Sequence, residues 1–259
     1  MLLEVKDLGI AYGKRAPIVR HVSFTLDAGE VLAIVGESGS GKTTVIRSIH
    51  HILPGGGHIA EGQVLFEGED TQKQSPAKHR ALCGRDAAMI FQDCGAMMNP
   101  IRSVGRQFRD YLALHGVAGA DAERLMASML AMVRLPDAER ILDSYPFELS
   151  GGMRQRVGIA MAMALRPKLL LADEPTSALD VTTQAQIVRE MMDAAKSMNT
   201  AIIIVTHNLG VAAYMADRIL VMKDGAPVEY GSADDVIRRP RTDYTRMLLA
   251  AVPRLGGIQ

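Results

Sequence analysis

Five apolar residues, Val31 to Val35, run into Gly36, and the chain then passes through Gly39 and Gly41 to Lys42, Thr43 and Thr44. An apolar run of that length suits a strand buried on both faces. The residues after it, Thr43 to His50, read as a helix. The pattern G-x-x-x-x-G-K-[ST] is filled by Gly36, Gly41, Lys42 and Thr43, with Ser38, Gly39 and Ser40 inside the turn and Thr44 closing it. Such a loop binds phosphate. Glycines allow the backbone to approach closely, and the new helix's N-terminus presents positive partial charge to phosphate oxygens. The Lys42 ammonium adds a full charge near the outer phosphates, and the Thr43 hydroxyl is a ligand for Mg²⁺. A glycine-rich turn that binds nothing would need neither the buried strand before it nor the helix after it. The chain is therefore read as a nucleotide binder.

The bulk properties narrow the class. At 259 residues the chain can bury a full core, as one large domain or as a domain with a sub-domain. Its 29 basic and 29 acidic side chains cancel, so there is no global basic footprint for nucleic acid. The short cluster Arg238, Arg239 and Arg241 reads as a solvated face. No apolar run approaches the roughly 18 residues that span a bilayer. The N-terminus lacks the basic and then apolar regions of an export signal. Cys83 and Cys94 make neither a disulfide framework nor a metal quartet. The expectation is a chain in a reducing, cytosolic setting, with any membrane role supplied by partner subunits.

Around the loop, residues 2–8 and 22–26 alternate as half-buried antiparallel strands, with Tyr12-Gly13-Lys14 as a turn carrying an exposed aromatic. Residues 63–67 and 87–91 read as further strands. From about Gly95 to Arg166 strand patterns vanish and apolar residues recur at helical spacing, as in Leu125, Met129, Met132 and Val133. Leu169 to Ala172 and Ala201 to Val205 flank a helical segment, Thr182 to Lys196, in a β-α-β rhythm that implies a parallel sheet. Arg218 to Met222 and Pro227 to Tyr230 flank Asp224-Gly225, a hairpin signal, and two short helices near 234–238 and 244–252 finish the chain.

Two further stretches carry chemistry. Leu169 to Ala172 ends in Asp173 and Glu174, at the carboxyl edge where ligands bind in open α/β folds. Because successive strand residues face opposite ways, the two carboxylates are expected to differ in role: Asp173 toward Mg²⁺, Glu174 polarising an attacking water. In Leu149-Ser150-Gly151-Gly152, Ser150 reads as the N-cap of a helix reaching about Leu165. The two glycines just inside that helix make sense if something anionic must approach its end closely. A glycine-rich cap is the plainer alternative.

Taken together, residues 36–43, Gln92, 149–152, Asp173-Glu174, Ser177-Ala178-Leu179-Asp180 and His207 occur in the order and spacing of one known family. The chain resembles the nucleotide-binding subunit of ATP-binding cassette (ABC) transporters over essentially its whole length. That resemblance implies an α/β P-loop NTPase core with a mixed sheet and an N-terminal antiparallel β subdomain, over residues 1–94 and 167–259. An inserted all-helical subdomain would occupy residues 95–166. It also implies two cassettes closing head to tail around two ATP molecules, each held between one subunit's phosphate loop and the other's Ser150, Gly151 and Gly152. By the same resemblance Tyr12 stacks on adenine, Gln92 ligates Mg²⁺ and senses a membrane partner, His207 contacts the terminal phosphate, and Asp180 links the two sites.

Local matches resemble the peptide and nickel importer branch: residues 89–93, Asn99-Pro100 with 104–107, 145–156, and the ending 243–253. Partners implied are a second ATPase subunit, two transmembrane permeases and an extracytoplasmic substrate-binding protein, with the chain peripheral on the cytoplasmic face of the membrane. The ending at Gln259, without the cysteine-bearing extension of many peptide-importing relatives, is closer to the nickel or metallophore subfamily. Residues 94–98, Cys-Gly-Ala-Met-Met, replace a segment that usually carries proline. His50, His51 and His58 lack the carboxylate or cysteine that would complete a metal site. The alternatives are a soluble ABC-type ATPase of DNA repair or translation, for which the insertion is too short and only one cassette is present, and an exporter ATPase.

Overall fold

The computed structural model describes residues 1–177 and 179–251, the side chain of Val181 excepted. Ala178 and residues 252–259, which include the end of the expected last helix, lie outside the described residues. The chain divides into two compact units, residues 1–73 with 203–259, and residues 74–202.

In the first unit, β1 (Leu3–Tyr12) lies between β2 (Val19–Leu26) and β4 (Gly57–Phe66), antiparallel to both, and the short β5 (Glu69–Asp70) edges β4. Leu3 faces Leu26 on one side and Phe66 on the other. All three strands are longer than their alternating cores, because pairing on both edges of β1 carries the ladder on through Tyr12. β3 (Val31–Val35) is fully buried, as an uninterrupted apolar run requires. It runs parallel to β9 (Arg218–Lys223), with Leu32 opposite Arg218 and Val35 opposite Val221. β10 (Ala226–Ser232) folds back antiparallel on β9. The turn between them uses Asp224 and Gly225, both at positive φ (48° and 79°), as the Asp-Gly pair predicts. α1 (Lys42–Ile49) follows β3, and α9 (Leu209–Met215), α10 (Ala233–Arg238) and α11 (Asp243–Ala250) complete the unit. The chain enters it through β8 (Ala201–Thr206), buried along its length.

The second unit opens with α2 (Pro76–Leu82), a helix with no counterpart in the sequence reading. β6 (Ala87–Ile90) and β7 (Leu169–Asp173) pair in parallel, Ala87 against Leu169 and Ile90 against Ala172. Between them the elements are helical: α3 (Cys94–Met97), α4 (Val104–Leu114), α5 (Gly119–Met132), α6 (Ala138–Asp143) and α7 (Gly151–Met163). α8 (Val181–Met198) follows β7 and ends at Asn199 in the left-handed conformation, φ 54°. α7 packs against α3, α5 and α8. Phe108, Leu112, Met126, Leu130, Val157, Ile159 and Met163 are fully buried. At this depth, truncating Phe108 to alanine would cost about 3–5 kcal/mol.

Candidate functional site

In the first unit the phosphate loop is shaped by close approach. Gly36 sits at φ 151°, and a Cβ there would clash with the Met222 carbonyl. Gly41 sits at φ 95°, and a Cβ would lie 2.9 Å from Val19 Cγ2. Both positions exclude any other residue type. Around Gly39, by contrast, the missing Cβ would meet nothing within 4 Å, so that flank of the loop is open. Lys42 is only 4% exposed, and its Nζ donates to the carbonyls of Gly36 at 2.8 Å and Glu37 at 2.6 Å. A full positive charge thus sits inside the loop.

The start of α1 has a second property that fits an anion. Among the described residues nine of the eleven α-helices carry a side-chain cap: those begun at Ser75, Asp93, Ser103, Asp137, Ser150, Asp180, Asn208, Ser232 and Thr242. α1 begins at Gly41 with no side-chain cap. Terminal N–H groups that no side chain caps are where a phosphate binds. Tyr12 is half-buried rather than exposed, because it ends β1 with its ring against the backbone of Gly57, where a Cβ would lie 2.8 Å from its Cε1. His207 is exposed and directly follows β8.

The second unit holds the carboxylates and the signature helix. Asp173 ends β7 and is 2% exposed. Glu174 lies beyond the strand at φ 44° and is half-buried. Strand alternation therefore does not extend across the pair, because Glu174 lies outside β7 in the left-handed conformation, and the Glu174 carbonyl accepts from the Ser177 N–H at 3.2 Å to close the turn. Asp180 is exposed and caps α8 by accepting from the Thr183 N–H at 3.0 Å. Hydrogen bonds from Thr183, side chain first and then backbone, hold its carboxyl below the usual range.

Ser150 caps α7 as expected, accepting from the Met153 N–H at 3.3 Å. Ser150 and Gly151 are exposed. Gly152 has a reason inside the chain that the sequence reading missed: a Cβ there would lie 3.1 Å from Thr183 Cγ2 of α8. Gln92 is exposed on the loop between β6 and α3.

The ABC transporter family profile matches residues 19–177. The chain belongs to the ABC transporter family. The oligopeptide transport ATP-binding protein OppD of Bacillus subtilis is 47% identical over 259 residues, covering 98% of this chain and 72% of OppD. The glutathione import ATP-binding protein GsiA of Escherichia coli O6:H1 is 44% identical over 268 residues; all of this chain is covered, but it spans only 43% of GsiA. Among solved structures, a dimeric ATP-binding cassette in a post-hydrolysis state, bound to ADP and Pi, matches with a TM-score of 0.78 and 25% identity, over 90% of this chain and 99% of that one. The fold is accordingly the α/β P-loop NTPase fold of ABC ATPases, and the cassette hydrolyses ATP.

Several residues that shape the cassette went unrecognised in the sequence. Arg154 Nη1 donates to the carbonyls of Leu149 at 2.7 Å and Pro146 at 3.4 Å, bracing the chain just before Ser150. Arg156 reaches Glu190 of α8 through two hydrogen bonds. In the first unit the Glu37 N–H donates to the Tyr244 hydroxyl at 3.1 Å, which ties α11 to the phosphate loop. The Lys223 ammonium lies 5.0 Å from the centre of the same ring. The only available sign was that residues 145–156 and 243–246 matched the importer branch, with no role attached to any one of them. The three histidines weighed as metal ligands are engaged locally or buried: His51 Nε2 lies 3.0 Å from Thr71 Oγ1, His58 Nδ1 3.4 Å from Gly56 O, and His50 is 4% exposed.

Proposed function

We propose that this cassette powers the import of short peptides, as the ATP-hydrolysing subunit of a multi-subunit transporter in which it lies on the cytoplasmic face of the membrane. The observation that carries the cargo class is the likeness to OppD over 98% of the chain, with a second peptide-handling relative in GsiA. Both names speak for peptides, and the cargo is read as peptide in preference to nickel, the other cargo the sequence held open. Among the described residues no helix is long and apolar enough to cross a membrane, in keeping with a chain that needs permease subunits. Residues 95–166 are taken as the helical insert that would face them.

Residue roles follow the family pattern. Gly36, Ser38, Gly39, Ser40, Gly41, Lys42, Thr43 and Thr44 hold the phosphates, and Tyr12 stacks on the adenine. The uncapped α1 terminus and the inward Lys42 support that reading. Thr43, Gln92 and Asp173 offer a hydroxyl, an amide and a carboxylate oxygen, the hard donors that Mg²⁺ takes. Bound there, Mg²⁺ would neutralise charge on the outer phosphates. Glu174 orients and deprotonates the attacking water, and His207 contacts the terminal phosphate. Ser150, Gly151 and Gly152 offer an exposed helix end to the nucleotide of a partner cassette, and Asp180 links the two sites. A solved dimer of a similar cassette with ADP and Pi supports pairing.

The test is reconstitution of the chain in vesicles with its permease subunits and substrate-binding receptor. Hydrolysis stimulated by a receptor loaded with tri- to pentapeptides is the expected result; stimulation by a Ni²⁺-loaded receptor and not by peptides would overturn the cargo class.

A further inference from the structure

Helix α7 carries a glycine for which neither a cap nor a turn accounts. Gly158 lies in its interior and is absent from the positive-φ residues, where alanine would be the better helix former. The reason is on α3. A Cβ on Gly158 would lie 2.6 Å from the Cβ of Cys94 and closer still to its Sγ. That Cβ is bonded to the α3 backbone and cannot rotate away. One helical turn back, Arg154 presses on Gly95, where an added Cβ would lie 2.5 Å from Arg154 Nε. Between them Gln155 is 5% exposed, and its Oε1 accepts from the Cys94 N–H in a long bond of 3.5 Å. The Cys94 thiol in turn lies 3.6 Å from the Phe91 carbonyl, the residue before Gln92. The same Arg154 holds the Leu149 carbonyl, the residue before Ser150.

We propose that Cys94, Gly158, Gln155 and Arg154 form an interlock that joins the Gln92 loop to the signature helix, so that Gln92 and the Ser150 end move as one piece. These are positioning residues: none is assigned a contact with nucleotide. The inference rests on the reading of Gln92 and Ser150 as nucleotide-contacting groups. The interlock gives residues 94–98, which depart from the usual sequence of the family, a purpose: a thin α3 seated on a notch in α7. A displacement of Gln92 on one side of the interlock would then be felt at the cap on the other. Its energy would be spent on turnover, when both ends must be placed together, and not on capture of nucleotide by the phosphate loop.

The experiment swaps volume across the contact in the full chain, assembled with its partner subunits. Gly158→Ala fills the notch and should lower kcat for ATP hydrolysis about tenfold while leaving KM within about twofold, the signature of an interaction made only on the way to turnover. It should also expose the Cys94 thiol, whose burial raises its pKa to about 12, to alkylation followed by mass spectrometry at that residue. Cys94→Gly combined with Gly158→Ala reopens the space and should return kcat to within about threefold of wild type, the coupling expected of residues in direct contact. Gln155→Leu provides a second route if Gly158→Ala does not fold: a fall in kcat at constant KM supports the interlock. Turnover of Gly158→Ala equal to wild type, or a loss that Cys94→Gly does not recover, overturns the proposal, as does unchanged turnover of Gln155→Leu. Gln92→Ala separates the two readings. If it leaves hydrolysis intact, the role of Gln92 fails; if it abolishes hydrolysis while Gly158→Ala does not, the interlock alone fails.

Discussion

Arg156 and Glu190 meet fork to fork, with Nε 2.8 Å from Oε2 and Nη2 3.2 Å from Oε1. The pair joins the signature helix α7 to α8, and Glu190 is 4% exposed. Its value depends on both members being present, because a carboxylate buried alone keeps its desolvation cost and loses its compensation. Arg156→Leu is expected to destabilise the chain by about 3 kcal/mol, the low end for breaking a buried pair, since Arg134 Nε remains 3.7 Å from the same carboxylate. Urea unfolding of the purified chain measures this directly. A loss indistinguishable from zero would mean the pair is solvated in solution.

Glu174 is assigned the role of base, and Glu174→Gln removes the charge while keeping the shape. Turnover should fall by roughly 10²–10⁴, the range for a lost general base, with ATP affinity retained. Phosphate release and nucleotide binding, measured on the same preparation with partner subunits present, check both halves. Near-normal phosphate release would remove Glu174 from the mechanism.

Lys42 supplies the loop's internal charge and braces two of its carbonyls. Lys42→Ala should therefore weaken ATP binding by at least about tenfold, as loss of a charge-assisted contact implies. Lys42→Arg should not restore it, because a planar guanidinium does not replace a compact ammonium inside a closed loop. Titration with a fluorescent ATP analogue distinguishes the three proteins; full affinity in Lys42→Arg would contradict the tight fit.

Acid should loosen the C-terminal segment through Glu229. Burial pushes its pKa up, but hydrogen bonds from the Thr245 side chain, the Arg241 and Thr242 backbone and the Thr242 hydroxyl outweigh it, and the net shift is downward. A folded pKa below the unfolded one stabilises the fold above the ordinary glutamate range, and the contribution is lost as pH falls through the folded value. Melting temperature against pH should fall more steeply on the acid side for wild type than for Glu229→Gln. Parallel curves would show that Glu229 does not titrate with unfolding.

Local patterns carried most of what could be read in advance. The phosphate loop, the Ser150 cap and the Asp224-Gly225 hairpin each depend on residues a few places apart, so spacing alone reveals them. Tyr12 was misjudged because its partner surface, Gly57, is 45 positions away and enters only through the β1–β4 ladder. Strand alternation was the wrong ground for telling Asp173 from Glu174, since Glu174 lies outside the strand at φ 44°, a property of the closed turn that leaves no mark in composition. α2 was missed because Ser75, which caps it by accepting from the Lys78 N–H, opens a seven-residue helix of which only Leu82 is buried, too little for a periodic pattern.

By itself, then, the order of residues determined that this chain binds nucleotide phosphate and which family it joins, because strand, loop and helix at residues 31–49 form from neighbours and the motifs that follow keep fixed spacing. Tertiary structure decided how the pieces are held: Cys94 against Gly158, Arg156 on Glu190, and Tyr244 on the loop residue Glu37. These contacts join positions 34 to 207 residues apart. Only packing brings such groups within reach, and whether a glycine leaves room or wastes it depends on what the fold lays beside it.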